Sequence, residues 1–189
     1  MNELLNAQLL QGRTNIFDKV FIHLGIWSKN LVRKCVSIYR QHDPNIELFS
    51  AAQECLNKFS DIPLYIVTDG NTTAQRNKLI ALNLYYSSRI KHCYLTWRYG
   101  LKHSKPSPYC FFLISKRERV LPQNIIYIGD NPYKDFVGIK PYGFRTIRVH
   151  TGQYKCIDID THHDADTNIN SLSELSVPFL KKFIKNQKI

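Results

Sequence analysis

The chain has 189 residues, enough for one domain or for a core with a small appendage. Its 43% hydrophobic and 22% charged residues are those of a globular protein, and no apolar run approaches the roughly 20 residues of a membrane helix. With no signal peptide at its start, the chain reads as cytoplasmic, and its net charge of +11 favours a polyanionic or phosphorylated partner.

The basic residues are spread out, with modest clusters at Lys116–Arg119 and Lys181–Lys182. No nucleic-acid signature accompanies them, so nucleic acid is the minority reading. The five cysteines are scattered without CxxC spacing, which argues against a zinc site or a disulfide framework. His162–His163 reads as a solvated loop rather than a metal ligand pair.

Residues 1–60 have little Gly/Pro punctuation and read as helices at about 15–24, 28–41 and 47–59. The last is clearest, with Leu48, Ala51, Ala52, Cys55, Leu56 and Phe59 on one face. From Pro63 the chain alternates. A strand at Leu64–Val67 ends in Thr68-Asp69-Gly70-Asn71, and a helix follows from Thr73 to Leu82. A short strand is expected at His92–Thr96, then a loop carrying Lys105. Ser107-Pro108 has the pattern of an N-cap and first helical residue ahead of Phe111, Phe112 and Ile114. Ile125–Ile128 reads as a buried strand, and a short helix is expected from Pro132. A strand at Phe144–Val149 follows, then capping-box spacing at Ser171–Glu174 ahead of a short helix. Alternating strands and helices predict an α/β fold, a parallel sheet with helices on both faces.

Three loops then fall at strand C-terminal ends, where open α/β sheets hold ligands. Thr68 offers a hydroxyl beside a helix N-terminus, Lys105 offers an ammonium, and Asp130 and Asp135 suit a hard cation such as Mg²⁺. Singly, each has a plainer reading as a cap or an exposed lysine.

In order, IVTDG, KHSKPSPYCFFLI and IYIGDNPYKDF resemble the second, third and fourth motifs of the haloacid dehalogenase-like superfamily of phosphohydrolases, over residues 13–180. The resemblance implies a Rossmann-like core at 61–189 and a helical cap remnant at 1–60. It implies a phosphate site of Thr68, Asp69 and Lys105, a Mg²⁺ site of Asp130 and Asp135, and a small phosphorylated metabolite as substrate.

The family's first motif, DxDxT on a central strand, supplies the Asp nucleophile, and it is not found ahead of the cap. Asp18 in Phe17-Asp18-Lys19-Val20 is a weak candidate, because only two apolar residues precede it. Asp158-Ile159-Asp160-Thr161 has the letters but falls after the fourth motif. The implied reading is a phosphohydrolase by descent, impaired as this chain stands, with the strands at 64–68 and 125–129 lacking a shared neighbour. The gap calls for a missing N-terminal segment or a partner chain. A non-catalytic phosphate-binding or regulatory module is the alternative, and a basic nucleic-acid binder comes third.

Overall fold

The structure is a computed structural model that describes residues 15–186. The chain divides into two compact units between Asp43 and Pro44. In the first, helices α1 (Ile16–His23) and α2 (Lys29–Gln41) form a hairpin. Ser28 caps α2, its hydroxyl accepting the Leu31 N–H at 3.2 Å. Phe17 meets Tyr39 ring to ring at 6.5 Å, and the Trp27 indole donates to Asp18 at 3.0 Å. Neither helix has a buried residue.

The second unit begins with α3 (Ser50–Lys58). The sequence reading draws the module boundary at residue 60. In the structure α3 falls in the second unit, because Cys55, Leu56 and Phe59 pack into clusters that the sheet strands share. Then come β1 (Leu64–Thr68), α4 (Thr72–Ala81), β2 (Ile90–Leu95) and α5 (Tyr109–Glu118). They are followed by β3 (Ile126–Gly129), β4 (Arg145–Val149), β5 (Thr167–Ile169) and α6 (Val177–Asn186). This is the α/β architecture that the alternation predicts.

All described strand pairs are parallel, and they form two ladders rather than one. β1 pairs with β2, from Leu64 opposite Ile90 to Thr68 opposite Leu95. β4 pairs with β3 and with β5. Among the described residues β1 and β3 do not pair with each other, yet they lie in one layer. Leu64 of β1 and Ile126 and Ile128 of β3 pack on the same cluster as Phe59, Ile147, Val149 and Phe183. On the opposite face Val67, Ile125 and Tyr127 share Phe111, Ile139 and Phe144. Side chains alternate along a strand, so matched faces on β1 and β3 mean the two ladders are continuous through their packing. Helices α3, α4 and α6 cover one face and α5 the other.

β4 is buried along its whole length although it carries two arginines. Arg145 donates to the Gln123 carbonyl at 2.6 Å and to the Ile184 carbonyl at 3.1 Å, the latter in α6. Arg148 donates to the carbonyls of Tyr154 and Ile157 and pairs with Asp164 at 3.3 Å. Such a cation is tolerated inside because its donors find acceptors. One Arg148 donor, Nε, has none among the described residues.

Two expectations shift. The short helix expected from Pro132 is a series of turns. There the Asp135 side chain takes the Asn131 N–H at 2.9 Å, so the segment folds around its own carboxylate. The α5 cap lies one residue later than expected. Pro108 holds the cap position, and the Ser107 hydroxyl accepts from Tyr109 N–H at 3.4 Å. The capping box at Ser171–Glu174 forms with both arms, around a single 3₁₀ turn. Among the described residues no helix is long and apolar enough to cross a membrane.

Candidate active site

Groups from the tips of β1 and β3 and from the loop after β2 gather at the C-terminal edge, because in a parallel sheet all strands end on the same side. Gly70 takes φ +121° just beyond β1, which lets the chain turn at once into α4. Asn71 caps that helix, accepting the Ala74 N–H at 3.2 Å. Thr68, at the β1 tip, donates its hydroxyl to Gln75 at 3.0 Å.

Lys105 sits at the centre. Its ammonium lies 2.7 Å from Asp135 Oδ1 and 2.9 Å from the Tyr127 hydroxyl, with only 9% of its side chain exposed. Burial alone would lower its pKa, but Tyr127 and Asp135 reverse that and raise it. Burial also raises the Tyr127 phenol. It therefore stays protonated at neutral pH, and the Asp135 carboxylate is the charge that keeps Lys105 an ammonium.

Asp69, expected on the phosphate, has both its oxygens engaged within the fold. Oδ1 accepts from the Thr96 hydroxyl at 2.7 Å and from the Lys105 N–H at 3.1 Å, while Oδ2 pairs with Lys134 at 3.2 Å. A carboxylate would in any case repel phosphate, so its geometry is that of a brace for the Lys105 loop. It reaches from β1 to the segment after β3.

Asp130 follows β3 directly. Burial, and next the charge of Asp135, raises its pKa. The nearby ammoniums, Lys105 and Lys134, pair with Asp135 and Asp69 instead. A half-buried carboxylate with a raised pKa beside a second carboxylate is a donor that a dication relieves. Among the described residues no three His, Cys, Asp or Glu side chains cluster as a metal cage. Mg²⁺ requires no such cage, since it takes one or two carboxylates and fills its octahedron with water and phosphate oxygens.

Two glycines make room. A Cβ on Gly129 would come within 2.5 Å of Asp135 Oδ2. One on Gly138 would land on the Pro106 carbonyl, beside Lys105. The structure therefore brings Lys105, Asp135 and Asp69 into one network, with Asp130 next to it and Thr68 on the neighbouring tip. Asp18 is a residue of α1 rather than of a strand, and Asp160 is an exposed loop residue bonded to His163. Tyr127, Thr96 and Lys134 were not anticipated. The one available sign for Tyr127 was a hydroxyl inside the apolar run Ile125–Ile128.

A family model for haloacid dehalogenase-like hydrolases matches residues 7–143. The chain belongs to that family. A glyceraldehyde 3-phosphate phosphatase of Pyrococcus furiosus is 33% identical over 110 residues, covering 58% of this chain and 44% of that protein. The phosphatase of the same name from Methanocaldococcus jannaschii is 32% identical over 118 residues, 62% of this chain and 49% of that one. The chain thus spans about half the length of the curated relatives it matches. A haloacid dehalogenase-like hydrolase from Xanthomonas campestris superposes with a TM-score of 0.63 over 90% of this chain and 70% of its own, at 12% identity. A 2-haloacid dehalogenase from Pseudomonas syringae does so at 0.61 over 82% and 62%, at 22% identity. The fold expectation is thereby met.

Proposed function

We propose that this chain carries the phosphate- and cation-handling half of a phosphate-monoester hydrolase acting on a small phosphorylated metabolite. The observation that carries the reading is the buried Lys105–Asp135 pair beside Asp130 at the sheet's C-terminal edge. Lys105 presents a permanent positive charge to a phosphoryl oxygen, and the Thr68 hydroxyl and the N–H groups opening α4 supply neutral donors. Asp130 would hold Mg²⁺ directly and Asp135 through water. Once bound, the dication neutralises phosphoryl charge.

On this reading the chain is impaired as a catalyst. Asp69 and Asp135 are held in ion pairs, and Asp130 is assigned to the cation. No other carboxylate described at these tips stands ready to attack phosphorus, and covalent catalysis here needs one. The names of the relatives make a triose phosphate the first ester to try. The test is hydrolysis of glyceraldehyde 3-phosphate and of a generic ester, with and without Mg²⁺, together with calorimetric binding of inorganic phosphate. Binding without turnover is expected. Trapping of an aspartyl-phosphate mimic with beryllium fluoride would show that a nucleophile has been overlooked, with Asp18 the first to mutate. A lack of phosphate binding would end the reading altogether.

A further inference from the structure

Charge is unevenly distributed along this chain. From Thr72 to Arg117 the sequence holds nine Lys and Arg residues and no Asp or Glu. That stretch carries +9 of the net +11. It folds as α4, β2 and α5 around the outer end of the sheet, where β2 pairs with β1 and, among the described residues, with no other strand. Lys105 turns inward to Asp135, and Lys91 takes Glu118 at 2.7 Å. Glu118, the acid that closes the run, is also held by the Tyr65 hydroxyl. Arg98, Lys102, Lys116 and Arg117 are exposed and join no ion pair among the described residues.

Rings are set among these cations. His92 meets Tyr94 edge-on at 4.7 Å, Tyr94 leads to Tyr99 at 6.1 Å, and Tyr99 to Tyr109 at 5.7 Å. Tyr109 stacks on His103 at 3.8 Å. Tyr94 is buried and the other four are half-buried, so each of those four shows part of its ring to solvent. Burial, and next the charges of Arg117 and Arg98, lowers the His92 pKa. His92 is therefore a neutral ring at pH 7, and the two guanidiniums act on it from the last turn of α5 and from the turn after β2. On α4 the pairing recurs. Arg76 donates to the Tyr86 hydroxyl at 2.9 Å and lies 5.3 Å from the centre of the Tyr85 ring, which steadies Tyr86 while 74% of it stays exposed.

We infer that the acid-free end of the sheet, centred on His92, Arg98, Tyr99 and Arg117, is a docking surface for single-stranded nucleic acid. The charge matches a phosphate backbone, and no carboxylate in the run repels it. The rings match unstacked bases, which lie on aromatic faces with little regard to sequence. A duplex is a poorer fit, because half-buried rings cannot reach base edges inside a groove. An anionic bilayer would engage the charges equally and leave those rings without a partner. A small phosphate ester would be met by Lys105 and would not call for guanidiniums and rings along the outer strand. The inference therefore stands apart from the hydrolase reading and survives its failure.

The test uses the whole 189-residue chain. The probe is a fluorescent oligouridine of about 12 nucleotides, within the usual span of a single-strand site. Anisotropy is read from about 50 to about 200 mM salt, and affinity should fall steeply across that range. Arg98→Ala with Arg117→Ala should weaken binding at least tenfold at low salt and flatten the salt slope. His92→Leu should weaken it severalfold and leave the slope unchanged, because it removes a ring and no charge. Lys181→Ala with Lys182→Ala removes the same charge from α6 and should change affinity less than twofold. An equal loss in that pair would reduce the effect to net charge and overturn the inference. So would equal affinity for a duplex of the same length or for polyglutamate, since neither offers free bases. Tighter capture by phosphatidylserine vesicles than by the oligonucleotide would assign the surface to a membrane instead. An absence of binding at about 50 mM salt overturns it as well.

Discussion

Replacing Lys105 with methionine keeps the bulk of the stem and removes the ammonium. It leaves Asp135, whose side chain is 2% exposed, as a buried carboxylate without its counter-charge. Breaking a buried pair by removing one partner costs about 3–5 kcal/mol. Asp135 would keep the Asn131 N–H at 2.9 Å and the Tyr127 hydroxyl at 3.3 Å, which places the expectation at the lower end. A loss of about 3 kcal/mol lowers Tm by about 6–12 °C for a chain of this length. The assay is thermal and urea unfolding of both proteins in EDTA across pH. In the variant the carboxylate is buried without its counter-charge, and protonating it removes that cost. The gap between wild type and variant should therefore be widest near neutrality and narrow on acidification. Lys105→Met combined with Asp135→Leu should recover most of the loss, since an apolar pair replaces a charged one at little cost. A loss under about 1 kcal/mol that does not change with pH would mean the carboxylate is hydrated, and the buried network would be refuted.

Other outcomes follow from the same geometry. Asp130→Ala should abolish most Mg²⁺ affinity by calorimetry and Asp135→Ala less of it, and unchanged binding in the first would reduce both acids to turn residues. Asp69→Ala should cost about 2–3 kcal/mol in urea unfolding, because it strands the buried Thr96 hydroxyl and the Lys105 N–H. Asp69→Asn keeps that acceptor and loses only the partly exposed Lys134 pair, about 1 kcal/mol or less. Gly138→Ala should destabilise by about 2–3 kcal/mol, since its Cβ meets the backbone of Pro106 rather than a side chain that can swing away. An unchanged urea midpoint would show that the Lys105 loop is not held there.

Sequence periodicity located the elements that bury a clear face or a continuous run. The 47–59 helix appears at Ser50–Lys58, and the strand read at Ile125–Ile128 appears at Ile126–Gly129. β5 was not legible, because Thr167-Asn168-Ile169 has no apolar run and is a strand only through pairing with β4. α6 was expected only as a short helix behind the Ser171–Glu174 capping box, because its lysines obscure a stripe of Phe179, Leu180 and Phe183 that becomes evident only against the sheet. In the site, Lys105, Asp130 and Asp135 could be named from order and spacing. Which carboxylate holds the lysine and which stays free could not, since that depends on the turn that folds Asp135 back beneath Gly129. The contacts of Asp69 were not legible on the same grounds. Its neighbours Thr96 and Lys134 lie far off in sequence, at separations of 27 and 65 residues.

Arg145 ties the order of synthesis to the order of folding. This buried cation finds acceptors in α6, the most C-terminal helix among the described residues. Until that helix emerges, β4 holds a guanidinium with the Gln123 carbonyl as its remaining protein acceptor. The nascent chain then has reason to keep β4 loose and hydrated. Closure of the core around β4 then waits for α6. A message cut short before α6 would yield a chain whose sheet has a charged centre and no lid, a form suited to clearance by quality control rather than to accumulation.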